Sequence, residues 1–268
     1  KNMTGVGKHR RNGPSATSEL VIHEQPTSHV AEAVRSIRTN ILFMNPDHPL
    51  RTLLVTSAGV GEGKTTIACC TAIVMAQAGK RVILVDCDLR RPRLHRIFKK
   101  PSNVGLTTAL LEGDTEGVIV ESGVPNLSLT VCGPIPPNPA ELLQSERFKQ
   151  HIAKLTEQFD HVILDSSPLM AVTDAAILST LVDRTMLVVR AFQTRKDFGQ
   201  RAVRTLVDVG AKLAGVVLNA VDFNRGEYRY AYSYYRRYSN YGPDPREPKI
   251  GAHPPTDADA DAPPPPPA

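Results

Sequence analysis

The stretch Ala58-Gly59-Val60-Gly61-Glu62-Gly63-Lys64-Thr65-Thr66 decides the fold of this chain. It follows the β-rich run Leu53 to Thr56 and precedes a helical run from Ile67 to Gln77 that Gly79 closes. Strand, glycine loop, GKT and helix in that order make a Walker A loop in the context it requires. The glycines let backbone N–H groups wrap a phosphate, and the helix N-terminus adds its partial positive charge. Lys64 reaches the β and γ phosphates, and Thr65 offers a hydroxyl to Mg²⁺. Ala58 replaces the usual first glycine.

Working outward, short β-rich runs alternate with helical ones: Leu53 to Thr56, Val82 to Val85, Leu127 to Val131, Val162 to Leu164, Thr185 to Val189 and Gly215 to Leu218. That alternation predicts an α/β fold with a doubly wound, mostly parallel sheet flanked by helices on both faces. Runs such as Val82-Ile83-Leu84-Val85 lack period-two alternation, as central strands covered on both faces do. Two of these strands run into aspartates, Asp86-Cys87-Asp88 and Asp165-Ser166-Ser167-Pro168. A triphosphate carrying Mg²⁺ needs acidic groups at strand C-termini near the loop, so Asp86, Asp88 and Asp165 read as metal and nucleotide groups. Asp174, in Val172-Thr173-Asp174-Ala175, reads as a helix cap.

With 268 residues and 41% hydrophobic composition, the chain supports one domain of about 200 residues once polar ends are removed. Four segments are expected: a flexible basic lead over 1–27, the α/β domain over 28–224, a tyrosine cluster over 225–242 and a disordered, proline-rich end over 243–268. The domain should open with a helix capped by Ser28 and reaching Phe43, with Val30, Val34, Ile37 and Ile41 on one face. The net charge of +5 sits largely at the ends and argues against a nucleic-acid groove. Cys69, Cys70, Cys87 and Cys132 show no CxxC spacing and read as reduced core residues of a cytoplasmic protein. No apolar run approaches the roughly 18 residues of a membrane span. A start at Lys1 in a basic lead is expected for the cytoplasmic part of a longer chain, lying beside an anionic membrane.

All seven tyrosines lie in the cluster: Tyr228, Tyr230, Tyr232, Tyr234, Tyr235, Tyr238 and Tyr241. A fold that dispenses with tyrosine and gathers it in one tail wants the hydroxyls themselves. Taken together, the Walker A loop, ILVDCDLRRP at Ile83 to Pro92, VILDSSP at Val162 to Pro168, Glu32-x-x-Arg35-x-x-Arg38 and the tyrosine cluster resemble the bacterial tyrosine kinases of polysaccharide export. Val60 stands where many members have proline, and Ser167 interrupts the more usual Asp-Ser/Thr-Pro-Pro.

The resemblance implies an ATP- and Mg²⁺-dependent protein-tyrosine kinase that phosphorylates its own tail. Asp86 and Asp165, with Thr65, would help hold Mg²⁺, and Asp88 would lie nearest the incoming tyrosine hydroxyl. Gly59, Gly61, Glu62, Gly63, Lys64, Thr65 and Thr66 would form the phosphate loop, and Asn219 would contact adenine. Glu32, Arg35 and Arg38 would dock on a neighbouring subunit in a ring-like homo-oligomer. The resemblance also implies a phosphotyrosine phosphatase as partner, a membrane-embedded activator or attached transmembrane region, and a place at the inner face of the plasma membrane. Phosphates would turn the basic tail acidic, which is expected to expel it from a neighbour's acidic site and loosen the oligomer. The rival reading is a positioning or partition ATPase. That class carries a signature lysine near the start of the loop, where this chain has Gly59.

Overall fold

The computed structural model describes residues 19–44, 49–113 and 117–222. In chain order the elements are α1 (Val21–Glu24), α2 (His29–Phe43), β1 (Thr52–Ser57), α3 (Lys64–Gln77), β2 (Val82–Asp86), α4 (Leu94–Ile97), α5 (Leu106–Glu112) and β3 (Val120–Glu121). There follow β4 (Leu127–Thr130), α6 (Pro139–Gln144), α7 (Glu146–Gln158), β5 (His161–Asp165), α8 (Asp174–Ser179), β6 (Arg184–Arg190), α9 (Lys196–Asp208) and β7 (Leu213–Asn219). They build a seven-stranded sheet in the order β3-β4-β2-β5-β1-β6-β7. Every pairing is parallel except that of β3 with β4. The two-residue β3 escapes a sequence reading because it is too short to show any period.

Alternation along the central strands decides which helix each residue meets. Leu53, Val55, Val82 and Leu84 join the core beneath α2 and α3, whereas Leu54, Ile83, Val85 and Leu164 pack with Leu106, Phe148, Ile152 and Leu178 of the helices on the opposite face. Both sides are therefore apolar, and each such side chain contributes about 1.5 to 3 kcal/mol when fully buried. Helix α3 is buried on every side from Ile67 to Ala76, because it lies between the sheet and α2. Cys69, Cys70, Cys87 and Cys132 are all free and buried, as expected, and burial raises each thiol pKa.

At the start of the domain the structure departs from the sequence reading. Residues 19–27 are not a flexible lead: Ile22 is wholly buried, Arg93 donates to the buried Glu19 at 3.1 Å, and the Cys70 thiol lies 3.9 Å from the Glu19 carbonyl. A four-residue helix is too short to display periodicity, so its single anchor went unseen. Ser28 caps α2 as predicted, its hydroxyl accepting from the Ala31 amide at 3.3 Å. The buried stripe runs through Ala31, Val34 and Ile41, with Ile37 packed beside it, and Val30 is exposed. Val30 keeps the three-four spacing but stands in the first turn of α2, where Ala31 takes the buried position instead. The expected segments 225–242 and 243–268, with all seven tyrosines, lie outside the described residues.

Candidate active site

Strand order explains why residues far apart in sequence meet. Strands β2, β5 and β1 are adjacent at the centre of the sheet, so their C-terminal ends bring Asp86, Asp165 and the phosphate loop side by side. Asp86 and Asp165 are register partners on neighbouring parallel strands. Ligand sites in open α/β sheets form at such strand ends.

The loop is held open from behind. Gly61 and Gly63 have φ of 79° and 96°, the left-handed region, and Gly63 caps α3. A Cβ on Gly63 would come within 2.2 Å of the Asn219 side-chain nitrogen, so no larger residue fits there. Asn219 Nδ2 donates to the Glu62 carbonyl at 2.9 Å. The buried Glu62 carboxylate accepts from the Gly59 amide at 2.8 Å and from the Thr194 hydroxyl. Sequence reading gave Glu62 and Asn219 to the nucleotide site; in the structure their side chains engage the loop and its flanks. Ala58 is buried in a small core with Leu169, Ala175 and Leu187, which explains a methyl at the usual glycine position.

Lys64 faces the acidic cluster. Its ammonium lies 2.9 Å from Asp88 Oδ2, 3.5 Å from Asp165 Oδ1 and 3.2 Å from the Thr65 hydroxyl. Burial opposes its charge, but Asp165 and Asp88 outweigh that effect and hold the lysine pKa above its ordinary value. Asp86 Oδ2 accepts from the amides of Leu94 and Arg93 at 3.0 and 3.1 Å, while Oδ1 is buried with no hydrogen-bond partner among the described residues. Both oxygens of the buried Asp165 likewise lack one. Burial first, then the Asp165 charge, pushes Asp86 up to about 7; burial also raises Asp165, with Lys64 acting against it.

Three buried carboxylate oxygens without a hydrogen bond, one of them ion-paired with Lys64, form with the Thr65 hydroxyl a hard-oxygen donor set that suits Mg²⁺. No group of three or more His, Cys, Asp or Glu side chains forms a self-sufficient metal site among the described residues.

In front of this cluster opens a cavity of about 440 Å³, lined by Gly61, Gly63, Lys64, Thr65 and Asp88 on one side and by Arg90, Arg91 and Arg93 on another. The rim is thus basic although the floor is acidic, a feature that the aspartates alone did not announce. Asp174 is not a cap: Thr173 holds that position, and the wholly buried Asp174 carboxylate accepts two bonds from Arg90, at 2.8 and 3.0 Å. This bidentate pair fixes the loop after β2 to the segment after β5. The RRP sequence carried a signal for Arg90, but nothing local paired it with a residue 84 positions away.

Of the expected subunit-contact residues, Glu32 and Arg35 bond one another on the exposed side of α2, with Arg35 also donating to the Pro26 carbonyl at 2.6 Å. Arg38 turns inward and donates to the Val74 carbonyl at 3.1 Å.

A glycine loop closing on phosphate, backed by buried aspartates at the ends of adjacent parallel strands, defines the P-loop class of nucleotide-dependent proteins. Comparison with known proteins narrows that class. Residues 51–194 match the family described as AAA domain. The tyrosine-protein kinase YwqD of Bacillus subtilis (strain 168) is 37% identical over 82% of this chain and 94% of its own length. The putative tyrosine-protein kinase CapB of Staphylococcus aureus is 34% identical over 81% and 96%. Among solved structures, the kinase domain of the Escherichia coli tyrosine kinase ETK superposes with a TM-score of 0.72 at 30% identity, covering 80% of this chain and 84% of that one. The chain belongs to the bacterial tyrosine-protein kinases.

Proposed function

We propose that this protein transfers the γ-phosphoryl group of ATP to tyrosine hydroxyls, its own tail included, at the cavity between the phosphate loop and Asp88. The observation that carries this reading is the Lys64 ammonium bridging Asp88 and Asp165 inside a cavity with an open basic rim. The tyrosine oxygen attacks the γ-phosphorus, the bond to the β–γ bridging oxygen breaks, and ADP leaves. Asp88 orients the hydroxyl and takes its proton. Because the transition state is loose, positioning and charge neutralisation outweigh proton removal. Thr65, Asp86 and Asp165 would hold Mg²⁺, which neutralises charge developing on the phosphate oxygens when it is bound. The amides of Gly59 to Thr66 cradle the phosphates, with Glu62 and Asn219 supporting the loop from behind.

The tyrosine cluster is the substrate, presented by one subunit of a ring-like oligomer to the next through the exposed Glu32 and Arg35 face. The basic lead supports a position at the inner face of the plasma membrane beside a membrane-embedded activator or a transmembrane region of the same protein, and a phosphatase resets the tail. Among the described residues no helix is long and apolar enough to cross a membrane. Incubation with Mg·ATP followed by phosphotyrosine mass spectrometry, with Lys64→Met alongside, tests the proposal. Phosphotyrosine on the tail of the unaltered protein alone is expected; ATP hydrolysis without phosphotyrosine would return the chain to the positioning ATPases.

A further inference from the structure

Beside the nucleotide cavity lies a second one, of about 560 Å³, lined by Arg90, Arg91, Arg93, His95, Arg96 and Ile135 among others. The two share Arg90, Arg91 and Arg93, so they adjoin. Among the described residues no acidic one lines the second cavity. The Arg90 and Arg93 side chains have carboxylate partners, Asp174 and Glu19, but the guanidinium groups of Arg91 and Arg96 have none among the described residues. Exposed guanidinium groups without counter-charges, gathered along one cavity, make a receptor for a doubly charged oxyanion.

We propose that this basic cavity binds phosphotyrosine of the tail, so that one modified tyrosine anchors the segment while the next enters the adjoining active site. The inference rests on the kinase reading above and deepens it. From Arg225 to Tyr241 the tail carries Arg225, Arg229, Arg236 and Arg237 against the single acid Glu227, so the unmodified segment meets a rim of its own sign. Each phosphate adds about −1.5 to −2 charge, so the first removes half or more of that net charge and offers the guanidinium groups a local dianion. The tyrosines recur every one to three positions, and in an extended peptide a two-residue step is about 7 Å. Such spacing lets neighbouring tyrosines address neighbouring cavities. On this proposal the first phosphate retains the tail and primes the second transfer, a step that precedes any effect of accumulated charge on the oligomer.

The test uses the full chain without ATP, so that it does not depend on catalysis. Fluorescent peptides of sequence 227–241, unmodified or phosphorylated at Tyr234, are titrated against unaltered protein and Arg96→Ala, a change at an exposed residue outside the nucleotide cavity. The phosphopeptide should bind at least about tenfold more tightly than the unmodified one, and Arg96→Ala should erase most of that advantage while leaving the unmodified peptide unaffected. With Mg·ATP, Arg96→Ala should form the first phosphotyrosine at the normal rate and accumulate singly modified chains. Equal binding of the two peptides would overturn the proposal. So would displacement of the phosphopeptide by inorganic phosphate at comparable concentration, which assigns the cavity to the free anion. Equal phosphopeptide binding by both proteins, with phosphatidylserine vesicles bound by the unaltered protein alone, would assign the basic surface to a membrane instead. Absence of all phosphotyrosine would remove the kinase reading, while the binding result would still stand or fall alone.

Discussion

Lys64 is set against more negative charge than it can neutralise. Three buried aspartates surround one ammonium, and two of them have raised pKa values because burial disfavours their charged forms. Lys64→Met should abolish phosphotyrosine and also lower the stability of the nucleotide-free protein, by about 3 kcal/mol if the stranded carboxylates stay charged. Asp86→Asn should do the reverse to stability. It removes a charge with an unpartnered oxygen and should raise nucleotide-free stability by about 0.5 to 2 kcal/mol in denaturant melts, while ending Mg·ATP-dependent stabilisation. Two histidines set an acid limit. His161, whose Nδ1 meets the Leu50 carbonyl at 2.9 Å, and His151 both have pKa values lowered by burial. The Leu50 carbonyl and Asp160 work against that shift at His161; Lys80 and Arg51 at His161, and Lys154 at His151, reinforce it. Below the unfolded value near 6.5 the unfolded chain binds more protons at these two sites than the folded one, so their stabilisation is complete above that pH and lost as pH falls through it. The loss should be at most about 1.4 kcal/mol per pH unit for each histidine. Asp86, raised to about 7, acts in the opposite sense over the same range, so His151→Gln with His161→Gln should move the slope of stability between pH 7 and about 5 toward the sign that Asp86 sets.

At the scale of elements, α2 joins two tasks. Its inner stripe covers α3, so Ile41→Ala should cost about 2 to 4 kcal/mol. Its outer face carries Glu32 and Arg35. Glu32→Ala with Arg35→Ala should shift the protein toward monomer by light scattering with little change in unfolding midpoint. Arg38→Ala should also cost about 1 kcal/mol, because it frees the Val74 carbonyl. An unchanged oligomer in both variants would remove α2 from the interface. Helix α2 was legible because its apolar residues repeat at the helical period, and the central strands because they are short unbroken apolar runs covered on both faces. Short pieces were not: α1 and β3 are held by tertiary contacts that no local pattern encodes. The same division runs through the site. Lys64, Asp86, Asp88 and Asp165 stood out from position after a strand or within the glycine loop, whereas the Arg90–Asp174 pair and the Thr194 and Asn219 supports exist only once strands are ordered in a sheet.

For the whole molecule, the chain separates into a compact unit ending at Val221 and the segment from Asp222 onward. Removing residues 223–268 should leave ATP binding and the unfolding midpoint unchanged and eliminate phosphotyrosine on the protein itself, measured by nucleotide titration, thermal melt and blot. The composition of that segment was readable at once, since tyrosine occurs nowhere else in the sequence. Its electrostatic counterpart was not, because the basic rim emerges only where the loop after β2 folds back over the aspartates.

The supports behind the phosphate loop tie its shape to residues far along the chain. Thr194 and Asn219 hold the Glu62 side chain and carbonyl, so the cradle depends on the last strands of the sheet being in place. A chain cut before β6 would keep the whole Walker A sequence and lose two of the contacts that shape it.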